Sequence, residues 1–523
     1  NLNSGEYFVL CFFFLDIKIC TSKSLSNFWG AYQRARCRIF RQISWQHIRM
    51  DRAEKLLEKV ATPSLYVRTD FVSCGVRGCV LGTTDLSDQN ALLECLRSLR
   101  EANVTPFDYE TLQTRVLTNF ERTFVSDEKE ALDYLLAGDG LIFLDGQRGC
   151  VRLAVRKYET RSVSEPPTEG IVKGPREGFT ESIKTNLSLV ERKLRTPDLV
   201  VERMKIGRRT KTDVAIVSIR GVSDPKTAEK IKARLEKVDI DGIIDSQYLQ
   251  SYLEPRPHSV FNQTGTCEKP DILAAKLLEG RVGIMCDGTP IVLTLPYLFF
   301  EDVQSSEDYY ERSAYASLIR MTRMASLFIG LLLPGTFVAF EVFHFSVLPL
   351  QLLVTVVNAT KGVPFPPLAE VLFVMFLFEI IREAGVRMPQ AMGLAMSIVG
   401  ALVLGETAVK AGMIGSPAVM IVALSSICTY TVPNAAGSST FLRLLFTIAG
   451  GLLGLYGVLV CVIAALLYML SLDSYGTPYL APFAPHITSD GQDGLLKSPV
   501  SEVTSRPHSI PNVNPTRQRR SNG

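Results

Sequence analysis

Histidine is scarce in this sequence, and the common catalytic motifs are missing from it. The 523 residues include five histidines, and no two of these lie within a motif spacing. No GxSxG, HExxH, Walker or Rossmann signature occurs where the expected secondary structure would support it. Serine and aspartate are plentiful, but catalysis by these side chains needs a base within reach. The sequence therefore argues against an enzyme.

A paired-cysteine framework is also missing, although the chain has eleven cysteines. Cys74 and Cys79 have no matching CxxC or histidine pair elsewhere, which argues against a zinc site. The others are scattered singly, and we interpret them as reduced, small apolar residues. No metal or cofactor is predicted. The formal net charge of +3 is too small to argue for a nucleic-acid partner, and none is predicted.

The first 300 residues lack long hydrophobic runs, apart from one short stretch near the start. The apolar run Tyr7–Leu15 is too short to cross a bilayer and has no basic region before it. Residues 1–50, which begin without Met, are therefore interpreted as a disordered or artefactual leader, with a cleaved signal peptide as the alternative. If the leader is discounted, no export signal precedes the soluble region, which we expect in the cytosol.

Residues 51–317 alternate between short apolar runs and charged amphipathic stretches, which predicts α/β structure. A repeated pattern indicates two subdomains. Gly138 and Gly280 each follow a leucine pair, and each precedes an apolar strand and an Asp-Gly turn (Asp145, Asp287). Each copy therefore predicts a helix, a strand, a turn and a returning strand, with a chance match as the alternative. The predicted parts are a first subdomain at 51–161, a Pro- and Gly-rich linker with a helix at 162–200, and a second subdomain at 201–317.

Apolar runs dominate residues 318–474, which we predict to be an all-helical, polytopic membrane domain. The fold class is therefore α+β, with a soluble N-terminal region followed by membrane helices. Four runs are each about long enough to cross roughly 30 Å of hydrocarbon: 324–340, 392–409, 411–432 and 444–470. Two shorter pieces, at 347–357 and 368–381, fit re-entrant or interfacial helices as well as spans, so five or six spans are the alternatives.

Arginines flank the predicted membrane domain on both sides. They precede the first run at Arg312, Arg320 and Arg323, and they recur in residues 475–523, which we predict to be a disordered C-terminal tail. The positive-inside rule then places both ends of the domain in the cytosol and requires an even number of spans.

Ionisable groups lie in or beside these apolar runs, where an unpaired charge is costly. Glu379 and Arg382 are three residues apart and Glu383 and Arg387 are four apart, so each pair can form locally on one helix. The alternative is that Glu370, Glu379 and Glu383 line a water-filled path. Carboxylates repeated by oligomer symmetry would favour cations there.

A proline-rich break precedes these charges. It interrupts the helix either beside a cavity or in an ordinary surface loop. The candidate pore or gating residues are therefore Glu370, Glu379, Arg382, Glu383, Arg387, Pro364 and Pro366. Glycines recur in the later runs, from Gly393 to Gly415 and from Gly450 to Gly457, and they let helices approach closely. This predicts a tight bundle or contact between subunits, with lipid-exposed glycine as the alternative.

Several motifs resemble the A subunit of GerA-type nutrient germination receptors of endospore-forming bacteria. In the soluble region they are Glu165-Pro166, Gly174–Glu181, Asn186, Leu278–Arg281, Asp287–Pro290 and Ser306–Tyr310. In the membrane region they are Gly362–Pro366, Phe378–Pro389, Ser397–Gly400 and Tyr479–Pro482. The resemblance runs in order from about Leu135 to Pro485. It departs from the family pattern at Cys267–Asp271, Pro334–Thr336 and Tyr430–Ser439.

The resemblance implies a non-enzymatic subunit of a germination receptor in the spore inner membrane, with its N-terminal region in the cytosol. It implies a transporter-like B subunit that senses the nutrient, a lipoprotein C subunit, and a homo-oligomer of this chain that forms a gated cation channel in the lipid bilayer. The soluble motifs supply candidates for coupling between subdomains: Arg176, Glu177, Asp287 and Gly288. A non-conducting scaffold or signal-relay subunit and a secondary transporter component are the alternatives.

Overall fold

The computed structural model describes residues 51–157, 173–387, 400 and 403–518. The predicted leader, part of the linker and most of the predicted span at 392–409 lie outside these residues. The chain divides into two compact units, residues 1–157 and 158–523.

The first unit is built on a five-stranded antiparallel sheet. Its elements are α1 (Asp51–Glu58), β1 (Tyr66–Ser73), β2 (Val76–Thr83), α2 (Gln89–Glu101), β3 (Arg122–Val125), α3 (Glu128–Leu136), β4 (Gly140–Leu144) and β5 (Cys150–Leu153). The strand order in the sheet is β1-β2-β4-β5-β3. A single α-helical turn (Tyr109–Thr111) continues into a π-turn (Leu112–Val116) after α2. Leu99, Leu112, Ile142 and Val151 lie in the core and are fully buried.

The second unit begins with a second five-stranded antiparallel sheet. Its elements are α4 (Ile183–Lys193), β6 (Leu199–Ile206), β7 (Thr212–Ile219), α5 (Pro225–Leu235), α6 (Ser246–Leu253), β8 (Gly265–Cys267), α7 (Pro270–Leu278), β9 (Val282–Cys286) and β10 (Val292–Leu295). The strand order, β6-β7-β9-β10-β8, is the same relative order as in the first sheet. The two repeated segments take the form that the sequence pattern predicts. Gly138 and Gly280 have φ values of 93° and 107°, so each ends its helix in the left-handed region that favours glycine.

Helices make up most of the second unit after residue 312. Two short 3-10 turns (Phe299–Val303 and Ser306–Tyr309) lead into α8 (Ser313–Val342), α9 (Leu350–Thr360), α10 (Pro367–Arg387), α11 (Ser416–Tyr430) and α12 (Ala436–Leu470). A π-turn and a single α-helical turn, Val403–Thr407 and Ala408–Lys410, precede α11. In the described part of the chain, α8 and the stretch Pro433–Leu470 are long and apolar enough to cross a membrane. The helix α10 has 21 residues, so it extends beyond the short piece expected at 368–381.

Helix α12 folds back on itself, so the predicted single span at 444–470 is not one straight crossing. A straight helix of its 35 residues would be about 52 Å long. Both of its ends nevertheless contact the loop before β8. The Ser438 hydroxyl donates to the Val260 carbonyl (2.5 Å), and Arg256 donates to the Ser471 hydroxyl (2.8 Å). The reversal occurs at Gly454, which has a φ of 66° and a ψ of −152°.

The two long helices α8 and α12 pack backbone against backbone. A Cβ atom added to Gly450 would lie 2.3 Å from the Gly335 carbonyl oxygen, and one added to Gly335 would lie 2.6 Å from that of Phe446. Such distances leave no room for a side chain, so these two glycines permit the close approach that the glycine-rich runs predict.

The segment 475–518 is folded, contrary to the prediction of a disordered tail. It begins between the two strands of a short antiparallel pair, β11 (Asp473–Ser474) and β12 (Thr477–Pro478). Tyr475 lies in the core of the second sheet and donates to the Leu253 carbonyl at 2.8 Å. Arg506 donates to the Leu278 carbonyl at 2.6 Å. The segment is ordered because its few apolar side chains complete the core of this unit.

A buried ionic network joins the start of α8 to this C-terminal segment. Arg320 is fully buried, and its guanidinium contacts Asp308 (3.0 Å) and Asp493 (2.9 Å). Arg323 also pairs with Asp308 at 2.9 Å. From the sequence, Arg320 and Arg323 are interpreted only as charges that flank the first predicted span. In the structure, their ion pairs hold the C-terminal segment against α8.

Asp302 gives stability a pH dependence that can be measured. Burial raises the pKa of its carboxyl to about 7, although the Tyr297 hydroxyl donates a hydrogen bond to it. The folded chain thus keeps a proton that the unfolded chain releases above a pH of about 4. This contribution to stability is present at low pH and is lost as the pH rises toward 7, by about 1.4 kcal/mol for each pH unit between the unfolded and folded pKa values.

We expect Asp302→Asn to remove this slope. The difference in unfolding free energy between the variant and the wild type should grow in the variant's favour from pH 4 to pH 7. The neighbouring charged groups Glu301 and Lys276 are present in both proteins, so the difference reports the titration of the Asp302 carboxyl together with its coupling to them. Thermal unfolding of the full chain in detergent across this range tests the prediction, and parallel curves for the two proteins would contradict it.

Candidate functional site

Glu370 lies in the helical region but does not face an open path. Its side chain is 2% exposed, and its Oε1 accepts a hydrogen bond from the Gly415 N–H at 2.7 Å. Gly415 is the N-cap residue of α11, so the carboxyl occupies a helix N-terminus, where negative charge is favoured. Val338, Val371 and Ile414 belong to the buried apolar core of this part of the bundle. Its position supports a role in holding α10 against α11.

Glu379 belongs to a charged cluster between three helices. On α10 it pairs with Arg382, the i,i+3 partner that the sequence predicts. Across the helix interface, Arg443 of α12 lies 3.9 Å from the second carboxylate oxygen. Arg443 is 3% exposed, and it donates to the hydroxyls of Ser425 (3.3 Å) and Ser426 (3.1 Å) on α11. We call these five residues the arginine cluster.

Further polar side chains extend the arginine cluster to its neighbours. Arg382 donates to the Thr440 hydroxyl of α12 at 3.3 Å. Ser425 in turn donates to the Gly330 carbonyl of α8 at 2.6 Å. The cluster therefore connects α8, α10, α11 and α12 through polar contacts inside an otherwise apolar bundle.

The charges of the arginine cluster do not cancel. Two guanidinium groups face one carboxylate, and the Arg443 Nε is buried with no hydrogen-bond partner in the part of the chain that the structure describes. Ionised groups at membrane depth are costly, so they usually pair, face water or mark an ion pathway. The Glu379 side chain is 33% exposed, which leaves its carboxylate partly accessible from the bundle surface.

The remaining pore candidates lie at the surface. Glu383 and Arg387 pair at 2.6 Å as the i,i+4 partners that the sequence allows, and both side chains are more than half exposed. Pro364 and Pro366 lie in the exposed loop between α9 and α10. In this structure the arginine cluster brings together only Glu379 and Arg382 from the predicted set.

The coupling candidates of the soluble region surround helix α4. Asp287 accepts from the Ile183 N–H at 3.0 Å, and Gly288 donates to the Glu181 carbonyl at 2.7 Å, so this turn contacts the helix start. Glu177 pairs with Arg192 and Lys193 at the helix end. Burial raises the pKa of Glu177, but the hydrogen bond and charge of Arg192 outweigh it, so the pKa is lowered overall. Arg176 adjoins this ion pair in sequence.

Arg443 is the residue that the predicted set omitted. The apolar run that predicted the last span starts at Leu444, which placed Arg443 just outside it. The helix starts eight residues earlier, at Ala436, and so carries Arg443 about two turns inside. An isolated arginine beside an apolar run, with serines in the preceding helix, is the signal that could have identified it.

The chain is similar in sequence to known spore germination proteins. Residues 54–509 match the family described as Bacillus/Clostridium GerA spore germination protein. The chain is 42% identical over 386 residues to spore germination protein KA of Bacillus subtilis, a match covering 73% of this chain and 71% of that protein. It is 39% identical over 375 residues to the membrane protein YfkQ of the same species, covering 71% and 73%.

A solved structure also matches the chain. It is the N-terminal domain of the A subunit of the Bacillus megaterium spore germinant receptor GerK3. The sequence identity is 30% and the TM-score is 0.37, and the match covers 47% of this chain and 94% of that one.

Proposed function

The chain belongs to the Bacillus/Clostridium GerA family of spore germination proteins, and from this premise we propose that it is the membrane-embedded A subunit of a nutrient-responsive germination receptor. It acts there without catalysis, in the spore inner membrane, beside a transporter-like B subunit that senses the nutrient and a lipoprotein C subunit. Several copies of the chain assemble into a gated cation channel.

The topology of the helical region supports a membrane crossing with an even number of spans. Its first helix, α8, follows directly from the turns after β10. Its last helix, α12, leads into β11 and β12, and Tyr475 between them lies in the core of the second sheet. Both ends of the helical region thus lie on the side of the second subdomain. By the positive-inside rule, the arginines that precede the first apolar run support a cytosolic location for that side.

The arginine cluster is the observation that carries the proposal of ion conduction. A purely structural bundle has no need for two arginines and a glutamate among apolar helices, where each ionised group is costly. In this conformation Glu379 is neutralised by Arg382 and Arg443. Opening of the channel releases the carboxylate toward the ion path, where symmetry-related copies favour cations.

Paired variants on one helix test this role. We expect Glu379→Gln to lower potassium efflux from liposomes containing the purified full chain by about tenfold, equivalent to about 1.4 kcal/mol in the barrier. Glu383→Gln is the matched control, because it makes the same change four residues along α10, at an exposed local pair. Its efflux should stay close to that of the wild type. Equal losses of potassium efflux in the two variants, or no loss in either, would contradict the proposed role of Glu379 in conduction.

The second candidate is a non-conducting subunit that relays a signal. It is favoured by the engagement of Glu379 with two guanidinium groups, and by the network through which Arg320 ties α8 to Asp493 of the C-terminal segment. A relay needs rigid connections of this kind between the soluble region and the bundle. Ion flux through the wild-type protein distinguishes the two candidates.

A further inference from the structure

An apolar cavity of about 410 Å³ lies where α8 and α12 meet the second subdomain. Its volume falls within the range of about 300–1,000 Å³ in which protein pockets hold small molecules. Both halves of the folded-back α12 contribute to it, together with α8, the turn after β10 and the C-terminal segment. The walls include Phe299, Leu331, Leu442, Ala465, Met469 and Tyr479.

The rim of this cavity consists of exposed apolar side chains. Phe328 on α8, Leu466 on α12 and Phe483 in the C-terminal segment line the cavity, and they are 50%, 46% and 45% exposed. The same helix faces continue with Ile329 and Ile463, which are also exposed. Apolar patches of this kind on a soluble surface mark an interaction site. Here Phe328 and Ile329 lie on α8, and Ile463 and Leu466 lie on α12, and both helices belong to the candidate membrane-crossing stretches.

Two of the few polar side chains in the cavity wall have partners inside the chain. The Asp302 carboxyl accepts from the Tyr297 hydroxyl, and the Ser438 hydroxyl donates to the Val260 carbonyl. An occupant therefore finds apolar surface and few free donors or acceptors. Polar ligands would lose hydrogen bonds to water there, whereas a hydrocarbon chain loses none.

We propose that this cavity holds one acyl chain of a membrane phospholipid, which enters from the bilayer past Phe328 and Leu466. The apolar walls, the small number of polar groups and a rim that continues the apolar outer surface of α8 and α12 support this occupant. The proposal rests on the proposed membrane location of these helices, and it does not depend on whether the protein conducts ions.

A photoactivatable phospholipid tests the proposal directly. The full chain is reconstituted in nanodiscs containing phosphatidylglycerol with a diazirine at the end of one acyl chain, and labelled peptides are mapped by mass spectrometry. Labelling is expected in the cavity segments of α8 and α12, around Leu331 and Leu442. Palmitic acid with the same diazirine, added to unlabelled nanodiscs, serves as the second arm and distinguishes a free fatty acid from a phospholipid chain.

Two neighbouring alanines on α12 provide matched variants. Ala465→Trp fills the cavity and should lower the labelling of its walls by about tenfold. Ala464 is exposed on the same turn and does not line the cavity, so Ala464→Trp should leave that labelling within about twofold of the wild type. Leu332→Phe is a smaller substitution that narrows the cavity without filling it. For every variant, a thermal unfolding midpoint like that of the wild type shows that the protein is folded.

Three results would overturn the proposal. The first is phospholipid labelling confined to the outward faces of the helices. The second is an equal loss of cavity labelling in the Ala464 and Ala465 variants. The third is cavity labelling by free palmitic acid but not by the phospholipid.

Discussion

Replacing Arg443 with leucine is expected to raise potassium efflux through the reconstituted protein by about tenfold, the opposite of the effect of Glu379→Gln. Arg443 lies 3.9 Å from the Glu379 carboxylate and is almost fully buried, so its charge opposes any cation that approaches this carboxylate. Leucine removes that positive charge and fills much of the same space. Glu379 keeps Arg382 as its only partner in the arginine cluster.

Arg443→Lys is the control for this result. It keeps the charge but cannot contact Ser425, Ser426 and Glu379 at once, because a single ammonium replaces the branched guanidinium. Efflux in the lysine variant should remain within about twofold of the wild type if charge governs conduction. If the leucine and lysine variants showed the same change in potassium efflux, the geometry of the Arg443 contacts rather than its charge would be responsible. The proposed electrostatic role of Arg443 would then be contradicted.

Gly450→Ala is expected to destabilise the helical bundle by about 3 kcal/mol, the upper part of the range for overpacked sites. The added Cβ would lie 2.3 Å from the Gly335 carbonyl oxygen and 3.2 Å from its Cα. These are backbone atoms, so no side-chain rotation can relieve the contact. Helices α8 and α12 must therefore separate or tilt along the whole of their interface.

Gly437→Ala in the same helix is the matched control for this substitution. Nothing lies within 4 Å of a Cβ at residue 437, and alanine is the better helix former, so this variant should be as stable as the wild type or slightly more so. Thermal unfolding of the full chain in detergent measures both variants. Equal midpoints for the two would show that α8 and α12 do not pack at these glycines.

The folds of the repeated segments could be predicted because their signals are local. A leucine pair, a glycine with positive φ and an Asp-Gly turn each specify the backbone within a few residues, and the structure forms helix, strand and turn at both copies. The local charge pairs of α10 follow from helical spacing in the same way. Glu379–Arg382 and Glu383–Arg387 both form as the sequence allows.

The features that could not be predicted depend on contacts between distant residues. The stretch from Gly450 to Gly457 contains four glycines, both end residues included, and only packing decides that α12 reverses at Gly454. A Cβ there would lie 2.8 Å from the His344 ring at the end of α8. The C-terminal segment is ordered by its contacts with Leu253 and Leu278, more than 200 residues earlier in the chain.

Potassium flux through the wild-type chain alone is the most direct test of the proposed channel. The purified protein, shown to be oligomeric, is reconstituted in liposomes loaded with potassium chloride, and the efflux of each ion is followed. We expect potassium to leave faster than from protein-free liposomes, and chloride to be retained. Oligomers that insert into the bilayer and pass neither ion would contradict conduction and support the relay.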